Sequence, residues 1–289
     1  MDKKQKLNES LANTMGVVVI LFSFIISYFI YTQILGSPDN FIDGDPDNQP
    51  KEGFYLGTIY KGGKIVILQI TFMVILLTYS IERALSLFRA RGKKSNVSFA
   101  NTIKENLGIN DLDAALTSCN NQKGAVANVV FKGLKSYMLE SPRELRPEEK
   151  AYQIKRDLEE ATHLEVPDLE KNMIIISTIA SVATLVGLLG TVTGMIQAFS
   201  ALAIAGTPDA VGLAGGISQA LITTALGIST SAVAIVIYNF YTTIIDNITY
   251  AMDETNYAIL NHFKQSVKPS ISEPVITEEP NDLEQEGNV

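Results

Sequence analysis

Four long apolar runs constrain this chain more than any other feature. They cover residues 15–36, 65–81 (with an extension to 88), 172–200 and 212–245. A helix needs roughly 20 predominantly apolar residues to cross about 30 Å of hydrocarbon. In lipid the backbone must satisfy its own N–H and C=O groups, which a helix does within one segment. From Asn172 to Ile245 the sequence holds a single charge, Asp209. With 46% hydrophobic and 19% charged residues in 289, the chain is too apolar for an ordinary soluble domain. The expected fold class is an all-α integral membrane protein: four transmembrane helices with a helical cytoplasmic region. The first run follows Lys3, Lys4 and Lys6, as a secretory signal would. It exceeds the apolar region of about 7–15 residues typical of such signals, and no small-x-small site follows, so a retained span is expected.

The net charge of −8 is localised. Residues 37–63 hold Asp39, Asp43, Asp45, Asp47 and Glu52 against Lys51 and Lys61, and residues 265–289 hold six acids against Lys268. The remainder is neutral and has no clustered basic face of the kind that binds nucleic acid. Arg83, Arg89, Arg91, Lys93 and Lys94 crowd the end of the second run, and basic residues near a span end mark the cytoplasmic side. That cluster is read as a topology signal with lipid headgroup contact rather than a protein-docking site. The loop 201–211 has no Lys or Arg and is expected outside. Both termini are then cytoplasmic.

The expected organisation is an N-terminal tail and extra span over 1–36, an acidic periplasmic loop over 37–63 and a span over 64–88. A helical cytoplasmic region over 89–171 follows, then a transmembrane helix pair over 172–245. A helix end and an acidic, Pro-containing disordered tail occupy 246–289. Within 98–170, "SFANTIKENL", "DLDAALTSC", "AVANVVFKGLKSYML" and "PEEKAYQIKRDLEEATHLEVPDLEK" carry helical spacing and i,i+4 charge pairs. An interruption is expected at Pro167. The run 212–245 would be about 51 Å long as a helix and should project beyond the bilayer.

The third and fourth runs carry polar residues and glycines but no carboxylate. At about 100° per residue, Gln219, Thr223, Thr224, Thr230, Ser231, Gly216, Gly227 and Ala220 fall within an arc of about 140°. Ser177, Ser181, Thr184, Gly187 and Thr191 share an arc of about 120° on the third run. One reading is close helix packing through small residues, with hydroxyls bonded back to their own helices. Gly187, Gly190, Gly194 and Gly227 are the candidates for close packing. The other reading is a shared polar interior, favoured by Gln219, because an amide at membrane depth needs a partner or water. Hydroxyls and amides do not store protons near neutral pH, so a titrating group would come from another chain.

"EVPDLEKNMIIISTIASVATLVGLLGTVTGMIQAF" and "GLAGGISQALITTALGISTSAVAIVIYN" resemble the two signature spans of the MotA/TolQ/ExbB proton-channel family, most closely its ExbB members. "SIERALSLFR" resembles the end of that family's first core span, so the resemblance covers about residues 65–245. It implies a homopentamer around an ExbD-type single-span partner whose membrane aspartate carries the proton. It also implies coupling through a TonB-type protein to outer-membrane uptake, in the bacterial inner membrane. By motif, Thr191 in "GLLGTV" and Thr224 in "ALITTALG" take the positions of the family's pore threonines. Gln219, Thr223, Thr184 and Ser181 are the further candidates for the ion pathway. Gln219 stands where many members carry glutamate, and the extra first span and acidic loop also depart from the commoner three-span plan.

Related readings are a TolQ-like role in envelope maintenance and a MotA-like or gliding-motor stator. A structural scaffold with a dry interior is the reading of another class. No enzyme, metal site or cofactor is expected. His163 and His262 are the only histidines, the single Cys119 forms no intrachain disulfide, and "GLAGG" lacks the following Lys-Ser/Thr of a phosphate loop. His163 reads as solvated or helix-pairing.

Overall fold

A computed structural model describes residues 3–143, 145–204 and 209–267. The acidic tail beyond 267, including its expected disorder, and residues 205–208 of the expected outer loop lie outside the described residues. The described α-helices are α1 (Lys3–Phe29), α2 (Tyr55–Tyr60), α3 (Ile65–Ala90), α4 (Asn96–Gly108), α5 (Leu112–Gln122), α6 (Ala125–Glu140), α7 (Pro147–Glu170), α8 (Met173–Ile204) and α9 (Ala210–Val267). There is no strand among the described residues. Four segments are long and apolar enough to cross a bilayer: Gly16–Leu35, Ile65–Ala90, Met173–Ala203 and part of Ala210–Ser266.

The spans differ in what they bury. α1, continued by a π-helical turn over Ile30–Leu35, packs on α3 and leaves most of its apolar surface uncovered. Its buried Ser23 and Ser27 are small enough for close contact, and the Ser27 hydroxyl is satisfied by Ser23 O at 2.7 Å. α8 and α9 form a long antiparallel hairpin, and α3 lies along one side of it. The acidic stretch between α1 and α3 is a folded cap. Asn40 Nδ2 donates to the carbonyls of Ile34 and Leu35, Tyr31 stacks on Tyr60 at 4.7 Å, and Lys61 Nζ holds the carbonyls of Pro46 and Asp47.

Helices α4, α6 and α7 gather around the C-terminal half of α9, and α5 packs on α4 and α6. Their apolar stripes bury Phe99, Ile103, Val130, Leu134, Ile154 and Leu158 with Ile248, Met252, Ile259 and Phe263 of α9. The four helical stretches expected over 98–170 correspond to α4, α5, α6 and α7. α7 begins with Pro147 at its first positions and Glu148 and Glu149 in its first turn, which suit the positive end of the helix dipole. The expected interruption at Pro167 is absent: α7 runs through that residue to Glu170. A proline removes one intrahelical bond, and here the last turn tolerates that loss. The chain bends instead at Asn172, whose φ of 61° ends one helix and lets the next begin.

Candidate functional site

The α8/α9 seam is built on glycine. A Cβ on Gly194 would lie 2.8 Å from both Ala220 N and Gly216 O; one on Gly227 would lie 2.7 Å from Ala183 O. A Cβ on Gly187 would lie 3.1 Å from Thr223 O and 3.2 Å from Gly227 Cα, and one on Gly190 would run into the Thr223 side chain. Because most of these neighbours are backbone atoms, the two helices touch main chain to main chain. Gly187, Gly190, Gly194 and Gly227 all lie in this contact.

At the edge of that contact the Thr191 and Thr224 hydroxyls are hydrogen-bonded to each other, and both are half-buried. Each also reaches the Gly187 carbonyl, at 3.4 Å from Thr191 Oγ1 and 3.3 Å from Thr224 Oγ1. Ser231 donates to Ala180 O further along the seam. Thr184 is half-buried, two turns from Thr191 on the same stripe. Ser181 is exposed, its hydroxyl 3.4 Å from Ser177 O.

The other two candidates lie under α3. Thr223 is fully buried and donates to Gln219 O and Ala220 O, both at 3.0 Å. Its own carbonyl accepts a 2.6 Å bond from Gln69 Nε2 of α3. Gly63, at φ +75°, brings the start of α3 against the Gln219 amide: a Cβ there would sit 3.0 Å from Gln219 Nε2. The six candidates therefore form two groups. Thr191, Thr224 and Thr184, with Ser181 further out, are on the side α3 leaves uncovered. Gln219 and Thr223 are on the covered side.

The uncovered side is otherwise apolar, with Leu188, Ile217, Leu221 and Ile228 exposed around the hydroxyl pair. It offers hydrogen-bond donors and acceptors in an apolar frame and nothing that titrates. Among the described residues no group of three or more His, Cys, Asp or Glu could hold a metal ion.

Two polar residues of α3 take structural roles that the sequence pattern did not assign to them. Gln69 is buried in the span with its Oε1 unpartnered among the described residues, and a lone amide inside "IVILQITFMVILL" was signal enough to mark it. Arg83, counted above with the basic cluster, is buried. It pairs with Glu82 (Nε to Oε2 2.8 Å) and donates to the carbonyls of Asp168 and Leu169, both at 3.3 Å. Asn172 Nδ2 completes the joint on Glu82 Oε2 at 3.1 Å.

Residues 121–254 match the MotA/TolQ/ExbB proton channel family, a segment that contains every residue of the seam. An ExbB-like biopolymer transport protein of Synechocystis sp. is 36% identical over 86 residues, 29% of this chain and 41% of the relative. The Tol-Pal system protein TolQ of Haemophilus influenzae is 39% identical over 79 residues, 27% of this chain and 35% of the relative. The biopolymer transport protein ExbB of Neisseria gonorrhoeae is 23% identical over 195 residues, 64% of this chain and 86% of the relative. The matched stretch thus spans less than half the length of the first two relatives.

Proposed function

Because residues 121–254 carry the MotA/TolQ/ExbB proton channel segment, we propose that the chain is the multi-span subunit of an ExbB-type energising complex in the bacterial inner membrane. Arg89, Arg91, Lys93 and Lys94 around the end of α3 support a cytoplasmic side for α4 to α7 and for both termini in this reading. The observation that carries the reading is the Thr191–Thr224 hydroxyl pair on the uncovered face of the hairpin. It is a polar point in an apolar frame, without a carboxylate of its own, and it suits the membrane aspartate of an ExbD-type single-span helix. Protonation of that aspartate removes a charge that is costly at membrane depth. The hydroxyls exchange hydrogen bonds with each form, so the partner moves against this face as protons pass. Several copies of this chain, as a homopentamer, surround the partner. A TonB-type protein carries the work to outer-membrane receptors. Gln219 does not supply the titrating group, which leaves that role to the partner.

The resemblance to TolQ supports a second reading, envelope maintenance, in which the same seam meets a different single-span partner. The test isolates the chain with its bound proteins from native membranes, reconstitutes the complex in liposomes and measures proton flux under an imposed potential. The double variant Thr191→Val, Thr224→Val keeps shape and removes both hydroxyls together. Flux is expected to fall at least about tenfold, the effect of about 1.4 kcal/mol, with assembly unchanged. Undiminished flux, or recovery without any single-span partner, would overturn the reading and leave the scaffold. A partner with a wall-binding domain would point to a stator.

A further inference from the structure

Beside the turn between α3 and α4 lies a groove of about 640 Å³ that the seam does not use. Its membrane end is walled by Phe88 of α3 and by Phe240 and Ile244 of α9; its far end is lined by Arg91, Ser95 and Asn96. Phe88 is 80% exposed and Phe240 62%. Large aromatic faces held open at the end of a span are matched to acyl chains rather than to water.

The polar end is rigidly built. Gln122 is buried, and its amide nitrogen donates to Lys94 O at 2.8 Å and Arg91 O at 3.4 Å. In return Lys94 N donates to Gln122 Oε1 and Lys93 N to Gln122 O, each at 2.9 Å. One residue, through its side-chain amide and its backbone carbonyl, thus clamps the basic turn. Arg91, Lys93 and Lys94 are exposed, and none has an ion pair among the described residues. Glu254, the acid lining the groove, is already paired with Lys104 at 2.7 Å. The first turn of α4 opens at the same end, and Ser95 makes no side-chain capping bond there. Its free backbone N–H groups add to the preference for an anion.

We infer that this groove holds one anionic glycerophospholipid, with its phosphate at Arg91 and the start of α4 and an acyl chain along Phe88, Phe240 and Ile244. The juxtaposition of a clamped, unpaired cationic turn with an apolar trough leading back to the membrane is what identifies the ligand class. The inference rests on the proposed function only for the leaflet, which is then the cytoplasmic one. It does not depend on ion flow.

The test is native mass spectrometry of the full chain, titrated with phosphatidylglycerol and with phosphatidylcholine of equal chain length. Phosphatidylglycerol should be retained in preference. Arg91→Gln should lower its retention about fivefold, the effect of one cation near an anionic lipid surface, and leave phosphatidylcholine unchanged. Val97→Trp, which fills the groove without altering charge, should also displace phosphatidylglycerol, and it keeps the test decisive if the arginine variant does not fold. Lys132→Gln, on α6, should change nothing. Equal retention of the two lipids, or retention indifferent to both groove variants, would overturn the inference. So would displacement of the lipid by free glycerol phosphate, which would mean a phosphate site without an acyl component. Since no partner or proton flux enters the measurement, its failure leaves the proposed function standing, and the reverse holds too.

Discussion

A single methyl group separates two glycines of α9. Around Gly215 an added Cβ would meet nothing within 4 Å, whereas at Gly227 it would press on Ala183 O and the Gly187 backbone. Gly215→Ala should therefore stabilise the helix by about 0.5–1 kcal/mol, the entropy glycine loses on ordering. Gly227→Ala should destabilise by about 1–3 kcal/mol, since backbone atoms yield little to overpacking. Unfolding in detergent, followed by loss of helicity, measures both; equal responses would remove the main-chain contact as the basis of the hairpin. Helical spacing made Gly187 and Gly227 legible as packing positions in the sequence. It also put Gln219, Thr223 and Thr224 on one arc of a helix. What it could not show is that α3 covers one edge of that arc and not the other. That choice is made by Gln69 and by the tight turn at Gly63, more than 150 positions away along the chain from Thr223 and Gln219.

At the scale of elements, the joint between α7 and α8 matters most, because it connects the helical bundle to the hairpin. The end of α7 leaves carbonyls free, and Arg83 of α3 supplies donors to those of Asp168 and Leu169. Arg83→Met would leave these carbonyls and the Glu82 carboxylate without their partner. Breaking a buried pair costs about 3–5 kcal/mol, but Glu82 is 42% exposed and can recover hydration. A loss of roughly 2–3 kcal/mol is expected, together with faster proteolysis near residue 172; a neutral substitution would mean that the joint is held by packing alone. Apolar run length and charge periodicity showed four spans and four bundle helices in the sequence. The joint itself was hidden, because an arginine at a span end reads as topology and Pro167 carries the stronger breaking signal. The decisive residue, Asn172, acts through a left-handed backbone conformation that Asn adopts more readily than most residues.

At the scale of the whole molecule, α9 is the continuous member: 58 residues, roughly 87 Å at about 1.5 Å per residue. One buried cluster runs from Leu76 and Tyr79 in the α3 span, through Leu87, to Phe263 near the other end of α9. A shared core makes bundle and hairpin one cooperative unit, and Cys119 reports on it. This thiol is buried in the same cluster, and burial pushes its pKa from an ordinary value near 9 up to about 12. Both burial and the scarcity of thiolate suppress reaction with maleimide at pH 8. Labelling should therefore appear only as the fold is lost, with the same midpoint as the loss of helicity; labelling well below that midpoint would show the bundle opening by itself. The pH dependence has a definite sign. The folded-state value lies above the unfolded one, so the unfolded chain releases its proton first. The contribution to stability is then complete below about pH 9 and declines as pH rises towards 12. Lysines and tyrosines titrate in the same range, so the difference between wild type and Cys119→Ala isolates the thiol. The wild type should lose stability more steeply with pH than the variant, and parallel curves would mean that water reaches Cys119 in the folded bundle.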